Sequence, residues 1–109
     1  MSIAALVEFV VKPVQRERFL RLLTGVLDAM REEATFRNAT LHVDPADPNR
    51  FLLHETWADY QDVVEVQLAR PYRREWQEAL PDLLERPRTI TTWTPLRHDG
   101  PSDGTQQQA

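Results

Sequence analysis

The hydrophobic pattern of this chain begins with a run of apolar residues at positions 3–11, which predicts a β-strand that ends before Pro13. Its odd-numbered positions would share one face of a sheet and its even-numbered positions the other. Both faces are mostly apolar, with Glu8 as the charged exception. A strand of this kind is typical of a sheet buried on both sides, so we expect a packed layer on each face.

The alternation then gives way to helical spacing at residues 14–33, where apolar residues recur every three or four positions. Two further strands are predicted at residues 39–43 and 51–57, with the turn-forming segment DPADPNR as their connection. The remaining predicted elements are a short helix to about Ala69, a helix that begins near Pro71 and a last strand at residues 88–96.

The order strand, helix, strand, strand, helix, strand predicts an α+β fold of the ferredoxin-like, split βαβ type with an antiparallel sheet. Both helices would cover one face of this sheet. The other face also carries apolar residues, and a second copy of the chain is the simplest cover for it. We therefore expect a homodimer in which two sheets face each other.

Composition narrows the class of protein. The 109 residues fit one domain, predicted at residues 1–96, and residues 97–109 lack apolar periodicity and are predicted to be a disordered tail. Thirteen basic and seventeen acidic residues are mixed along the chain, so no nucleic-acid partner is expected. The absence of cysteine excludes disulfides and thiol catalysis and fits a cytoplasmic protein. The apolar run at the N-terminus is too short to span a membrane, so no membrane partner is expected.

Polar groups that could carry chemistry concentrate in the predicted hairpin, LHVDPADPNRFLLHETW, at residues 41–57. His54 could act as a general base, and His42 could contact a substrate, because imidazole titrates near neutral pH; either could instead be a surface or interface residue. Glu55 lies on the opposite face from His54, where it could serve as a base or form a salt bridge with an arginine. Two histidines without a third ligand do not make a zinc site, so no metal is predicted.

Aromatic residues are numerous enough to form the walls of a pocket for a flat ligand, although core packing is the alternative for each of them. Tyr72, at the start of the last helix, is expected to donate its hydroxyl to a substrate oxygen. Arg73 and Arg74 are expected to be solvated or to bind an anionic group. The predicted pocket walls are Trp57, Trp76 and Trp93.

Residues 3–96 resemble the antibiotic biosynthesis monooxygenase domain, a family of small dimeric α+β barrels. The hairpin is similar to the family's own hairpin, including its Glu-x-Trp ending, and ARPYRREW is similar to the segment that opens the family's last helix. Many family members have histidines where this chain has Gln67 and Tyr72. The haem-degrading branch relies on an Asn, a Trp and a His, and the last two positions fall near Gln67 and Trp76, which disfavours haem degradation. Further similarities are the strand ending in Val11, Lys12 and Pro13 and the helix ending in Glu32 and Glu33.

The resemblance implies a cofactor-independent monooxygenase that acts on a small aromatic or quinol substrate in a dry pocket. In this chain the implied catalytic residues are His54 or Glu55 as base and Tyr72 as donor, with no cofactor. An isomerase acting on a small carbonyl compound, or a non-catalytic dimeric module that binds a ligand, are the alternatives. The sequence leaves these three functions open.

Overall fold

The computed structural model describes residues 1–102. Four strands and three α-helices alternate in the predicted order. In chain order the elements are β1 (Ile3–Val10), α1 (Arg16–Met30), β2 (Phe36–Asp44), β3 (Asp47–Trp57), α2 (Tyr60–Glu65), α3 (Arg74–Leu83) and β4 (Thr89–Trp93).

The four strands form one antiparallel sheet in the order β2-β3-β1-β4. β1 lies between β3 and β4, with Ala5 opposite Glu55 and Leu6 opposite His54. This topology confirms the α+β, ferredoxin-like prediction. It also places the odd-numbered residues of β1 on one face and the even-numbered residues on the other, as the sequence pattern indicates.

The core lies between the helices and the odd-numbered face of β1, which we call the helix-side face. Phe9 and Phe51 from the sheet meet Phe19 of α1, with ring centroids 5.1 and 4.9 Å from that of Phe19. At these separations the rings contribute about 0.5–1.5 kcal/mol per pair beyond the burial of their area. Other buried members of this core are Val7, Val11, Leu22, Leu23, Val26, Met30, Leu53, Trp57, Trp76, Ala79, Leu80, Leu83 and Leu84.

The opposite face of the sheet, which we call the open face, is uncovered within the single chain. It mixes apolar residues with polar ones, and its exposed tryptophan, Trp93, lies at the edge of the sheet. By strand register the open face is formed by Ala4, Leu6, Glu8, Val10, Asn38, Thr40, His42, Arg50, Leu52, His54, Thr56, Thr89, Thr91 and Trp93.

The predicted hairpin connection was too long. Most of DPADPNR belongs to the strands, and only Pro45 and Ala46 remain between β2 and β3. The reason is local hydrogen bonding, because the Asp44 carboxylate accepts from the Ala46 amide at 2.8 Å and turns the chain there. Pro48 is tolerated in β3 because this strand runs past the end of β1, whose Val10 pairs with Arg50, so no ladder donor is missing on that side.

Helix and strand ends also differ from the prediction. The first helix begins at Arg16 after a 3₁₀ turn at Pro13–Gln15, and the helix predicted to reach Ala69 ends at Glu65, followed by a 3₁₀ turn at Gln67–Ala69. The last strand is shorter than predicted, Thr89–Trp93. Residues 97–102 have no regular secondary structure, and the rest of the predicted disordered tail, 103–109, lies outside the described residues. None of the described helices is long and apolar enough to cross a membrane.

Candidate functional site

A cavity of about 200 Å³ lies between the helix-side face of the sheet and the helices. Its floor is formed by β1, β3 and β4, its sides by α1 and the start of α3, and its cover by α2 and the 3₁₀ turn after it. Most of the lining is apolar, and the charged lining residues are Glu55, Arg73 and Arg88.

The cavity exists because the row of residues around Glu55 is small. Across the sheet Glu55 lies between Ala39 on β2 and Ala5 on β1, and Ala5 pairs with Thr92 on β4. These side chains do not fill the space between the sheet and the helices. The strand sequences therefore leave room above a carboxylate in an otherwise well-packed layer.

Glu55 is held by its neighbour on the same strand face. The indole Nε1 of Trp57 donates a hydrogen bond to Glu55 Oε1 at 2.8 Å, and Trp57 itself is fully buried. A donor fixed by core packing restricts the orientation of the carboxylate. This is the arrangement expected of a positioned base, since the acceptor is directed before any ligand arrives.

Two arginines face the same cavity. Arg73 is only 8% exposed, and its guanidinium carbon lies 6.0 Å from the Trp57 ring and 5.7 Å from the Tyr72 ring. Its buried Nε has no hydrogen-bond partner among the described residues. Arg88 comes just before β4, and burial together with the charge of Arg73 lowers the pKa of its guanidinium, while Glu55 opposes that shift.

Trp76 forms one wall of the cavity from α3. It is 6% exposed and packs against Phe9 and Phe19, with ring centroids 5.6 Å apart in both pairs. These neighbours fix the plane of the indole. A flat ligand in the cavity would therefore meet a rigid aromatic surface.

Tyr72 is engaged with another side chain rather than directed into the cavity. Its hydroxyl donates to Glu33 Oε2 at 3.0 Å, and burial and this hydrogen bond raise the pKa of the phenol. The Tyr72 ring lies against Arg73. Tyr72 thus connects the end of α1 to an arginine of the cavity.

The segment that covers the cavity is held in place by a network of polar side chains. Gln67 is buried, and its amide nitrogen donates to Asp62 at 3.0 Å and to Glu33 at 3.4 Å. Thr35 donates to the same Asp62 oxygen at 2.5 Å, and Arg70 forms an ion pair with Glu33 at 3.0 Å. These bonds join the α1–β2 connection to the segment that covers the cavity.

The other predicted site residues lie on the open face. His54 sits between Leu6 and Thr40, and His42 pairs with Leu52, so both imidazoles point away from the helices. Trp93 is 57% exposed, and its indole donates to Thr91 at 3.0 Å. The fold thus brings Glu55, Trp57 and Trp76 together on the helix-side face and separates them from His42, His54 and Trp93.

The structure adds two residues that the sequence did not single out as site residues. Arg73 was expected to be solvated or to bind an anion, and it is in fact buried; Arg88 had no assigned role. Periodicity could have indicated Arg73, because it lies three residues before the buried Trp76 and so shares its helix face. Among the described residues, no three His, Asp or Glu side chains form a group that could hold a metal ion.

Comparison with known proteins gives a consistent family. A model of the family described as antibiotic biosynthesis monooxygenase matches residues 2–79. The uncharacterized protein sll1783 of Synechocystis is 30% identical over 80 residues, which are 73% of this chain and 54% of that protein, so the chain spans about half the length of this curated relative.

Solved structures share the fold. Rv0793 from Mycobacterium tuberculosis has a TM-score of 0.82 at 20% identity, covering 92% of this chain and 100% of that one. SnoaB, a cofactor-independent oxygenase from Streptomyces nogalater, has a TM-score of 0.76 at 18% identity, covering 89% of this chain and 95% of that one. At these identities the similarity shows a common fold.

Proposed function

Since the chain belongs to the antibiotic biosynthesis monooxygenase family, we propose that it is a homodimeric, cofactor-independent monooxygenase acting on a small aromatic or quinol substrate. The observation that carries this proposal is the carboxylate of Glu55, oriented by Trp57 within an apolar cavity that also contains two arginines. SnoaB, which shares the fold, is itself a cofactor-independent oxygenase. The absence of cysteine fits a cytoplasmic location, which stays a prediction.

Glu55 is the base in this proposal. It accepts the phenolic proton of the substrate, and the positive charges of Arg73 and Arg88 stabilise the resulting anion. Charge stabilisation is strong here because the cavity is largely apolar and its cationic groups are already in place before the reaction. Trp76 holds the ring system in position, and Tyr72 acts as a positioning residue for Arg73.

Dioxygen is the oxidant and the source of the inserted atom. The substrate anion transfers an electron to dioxygen, and the two radicals combine at a ring carbon. The ring C–H opposite the phenolate becomes C=O, and the phenolate oxygen becomes the second carbonyl. The other oxygen atom of dioxygen leaves as water, which takes the hydrogen of that C–H bond and the proton held by Glu55. The apolar walls exclude water from the anion during these steps.

The open face is assigned to the homodimer. Leu6 and Leu52 lie there beside His54, and in a dimer they would be removed from water by the partner's sheet. Under this assignment His42, His54 and Trp93 belong to the dimer interface, and the catalytic group is on the other face of each sheet.

Oxygen consumption by the purified protein tests the proposal. With a panel of quinols and anthrones, we expect at least one substrate to consume dioxygen well above its uncatalysed rate, with no added metal or flavin. Uncatalysed rates for every member of the panel would contradict it. Deuterium exchange at a substrate carbon without oxygen uptake would indicate an isomerase, and a raised melting temperature without turnover a binding module.

A further inference from the structure

The two arginines of the cavity lack matching negative charge. The lining carries Arg73 and Arg88 against a single carboxylate, Glu55, so its formal charge is positive by one. Neither arginine lies within ion-pair distance of a carboxylate among the described residues, whereas Arg70 and Arg50 on the surface do. Arg73 is buried and Arg88 is partly buried, and charges removed from water are normally paired, so the charge of the cavity favours the binding of an anion.

Arg73 gives the sharper indication. Its side chain is more than nine-tenths buried, yet Nε has no acceptor. The rings of Trp57 and Tyr72 stabilise the faces of the guanidinium, but a ring face cannot accept the in-plane N–H of Nε at these distances. An unmatched in-plane donor is the part of a guanidinium that a carboxylate binds in the bidentate arrangement.

Arg88 adds a second cationic donor group to the lining of the cavity. It comes from the segment before β4, whereas Arg73 comes from the turn before α3. Both residues line the same cavity of about 200 Å³, and burial together with the charge of Arg73 lowers the pKa of Arg88, while Glu55 raises it. Like charges that line one small and largely apolar cavity repel each other, and a bound anion would relieve that repulsion.

We propose that the ligand of this cavity is an aromatic carboxylic acid, with its carboxylate held by Arg73 and Arg88 and its ring against Trp76. This inference rests on the proposed site and names the class of its substrate. The cavity volume of about 200 Å³ lies below the usual range of about 300–1,000 Å³ for drug-sized ligands, which favours one or two rings.

The net charge of the cavity links the binding of a carboxylate to the proposed deprotonation of the substrate by Glu55. With a carboxylate bound, two cations face two anions, and the cavity is neutral. When Glu55 then takes a phenolic proton, its charge moves to the substrate and the total does not change. The arginines that bind the acid therefore also stabilise the phenolate that forms.

The test is a matched pair of ligands whose turnover is prevented by the exclusion of dioxygen. The binding of 1-hydroxy-2-naphthoate and of 1-hydroxy-2-naphthamide to the full-length protein is measured under anaerobic conditions by tryptophan fluorescence. These ligands share ring and phenol and differ in the charge of one substituent. We expect the acid to bind at least tenfold more tightly, and equal affinities for acid and amide would overturn the proposal.

Variants assign the preference to the two arginines. Arg88→Gln should reduce the preference for the acid at least fivefold, and Arg73→Lys, which keeps the charge but not the guanidinium fork, should weaken binding of the acid more than binding of the amide. Arg74→Gln is the matched control, because Arg74 is exposed and adjacent to Arg73. The assignment of the carboxylate to these arginines would be overturned if Arg88→Gln still preferred the acid over the amide as strongly as wild type. It would also be overturned if Arg74→Gln lost as much of that preference as Arg88→Gln.

Together with an oxygen-consumption assay of the same acid in air, this experiment separates the two proposals. Selective binding of the acid without any oxygen consumption would support the anion site and contradict the monooxygenase for this ligand. Oxygen consumption with neutral quinols, without tighter binding of the acid than of the amide, would support the monooxygenase and contradict the anion site.

Discussion

Glu33 is the residue on which the cover of the cavity depends. Three side chains from the segment between α2 and α3, Gln67, Arg70 and Tyr72, donate hydrogen bonds to its carboxylate. Burial would raise the pKa of Glu33, but these bonds outweigh that effect and hold the pKa below its ordinary value of 4.5. The negative charge of Glu33 is thus part of what holds the cover in place.

A pH dependence of stability follows from this shift. Because the folded state has the lower pKa, it binds fewer protons than the unfolded chain between the two values, so Glu33 contributes its stability fully above about pH 5.5 and loses it as the pH falls through the folded pKa. Glu33→Gln should therefore be less stable than wild type at pH 7 and approach it near pH 3, as measured by urea unfolding.

Glu32→Gln is the control for this prediction, because it removes the same charge from an exposed neighbour. It should keep the acid-dependent loss of stability seen in the wild type. A stability difference between Glu33→Gln and wild type that stays constant from pH 7 to pH 3 would contradict the role given to the carboxylate.

The alternation of side chains along a strand made part of the site predictable from the sequence. It places Glu55 and His54 on opposite faces, and the register confirms this. This alternation does not say which face encloses a cavity. That depends on the pairing of the strands, which places the small residues Ala5 and Ala39 on either side of Glu55. The pairing of Tyr72 with Glu33 was likewise beyond prediction, since the two residues are 39 positions apart.

At the scale of elements, the β2–β3 hairpin shows that side-chain hydrogen bonds can shorten a loop that the residue types predict to be long. Two Asp-Pro pairs predict a long loop, yet Asp44 and Asp47 each cap a backbone amide two residues ahead and so let the strands continue. The longer β3 brings the Pro48 carbonyl against Arg16 at 2.7 Å, which ties the hairpin to the start of α1.

The segment between β3 and α3 was the least predictable element. A short helix to about Ala69 and a further helix from Pro71 were expected. The structure has α2, a 3₁₀ turn at Gln67–Ala69 and another at Pro71–Arg73 before α3 begins. The helical structure is interrupted where the Gln67 side chain is buried and donates hydrogen bonds to Asp62 and Glu33. The hydrophobic pattern does not predict a buried glutamine. The same break positions Arg73 in the cavity.

At the scale of the whole molecule, the apolar residues of the open face lead us to predict a dimer. Leu6 lies centrally on that face, between His54 and Thr91 on the neighbouring strands. Leu6→Glu would place a charge in the proposed interface, where burial of an unpaired carboxylate costs several kcal/mol, of order 3–5. Light scattering at micromolar concentration should give twice the chain mass of 12.7 kDa for wild type and the single-chain mass for Leu6→Glu.

Val14→Glu is the matched control, because Val14 is an equally apolar residue that is 91% exposed at the start of the helix layer. It should remain dimeric. A wild type that is monomeric and folded, or a Leu6→Glu variant that is as dimeric as Val14→Glu, would contradict the assignment of the open face.

The account as a whole depends on the claim that chemistry takes place on the helix-side face, with Glu55 as base, and not at the histidines of the open face. The most direct test compares the oxygen consumption of wild type, Glu55→Gln and His54→Gln on the best quinol or anthrone of the panel. We expect Glu55→Gln to lose at least a hundredfold in rate, within the range of about 10²–10⁴ for a general base, and His54→Gln to retain most of its activity. Loss of activity in His54→Gln with Glu55→Gln still active would contradict the account.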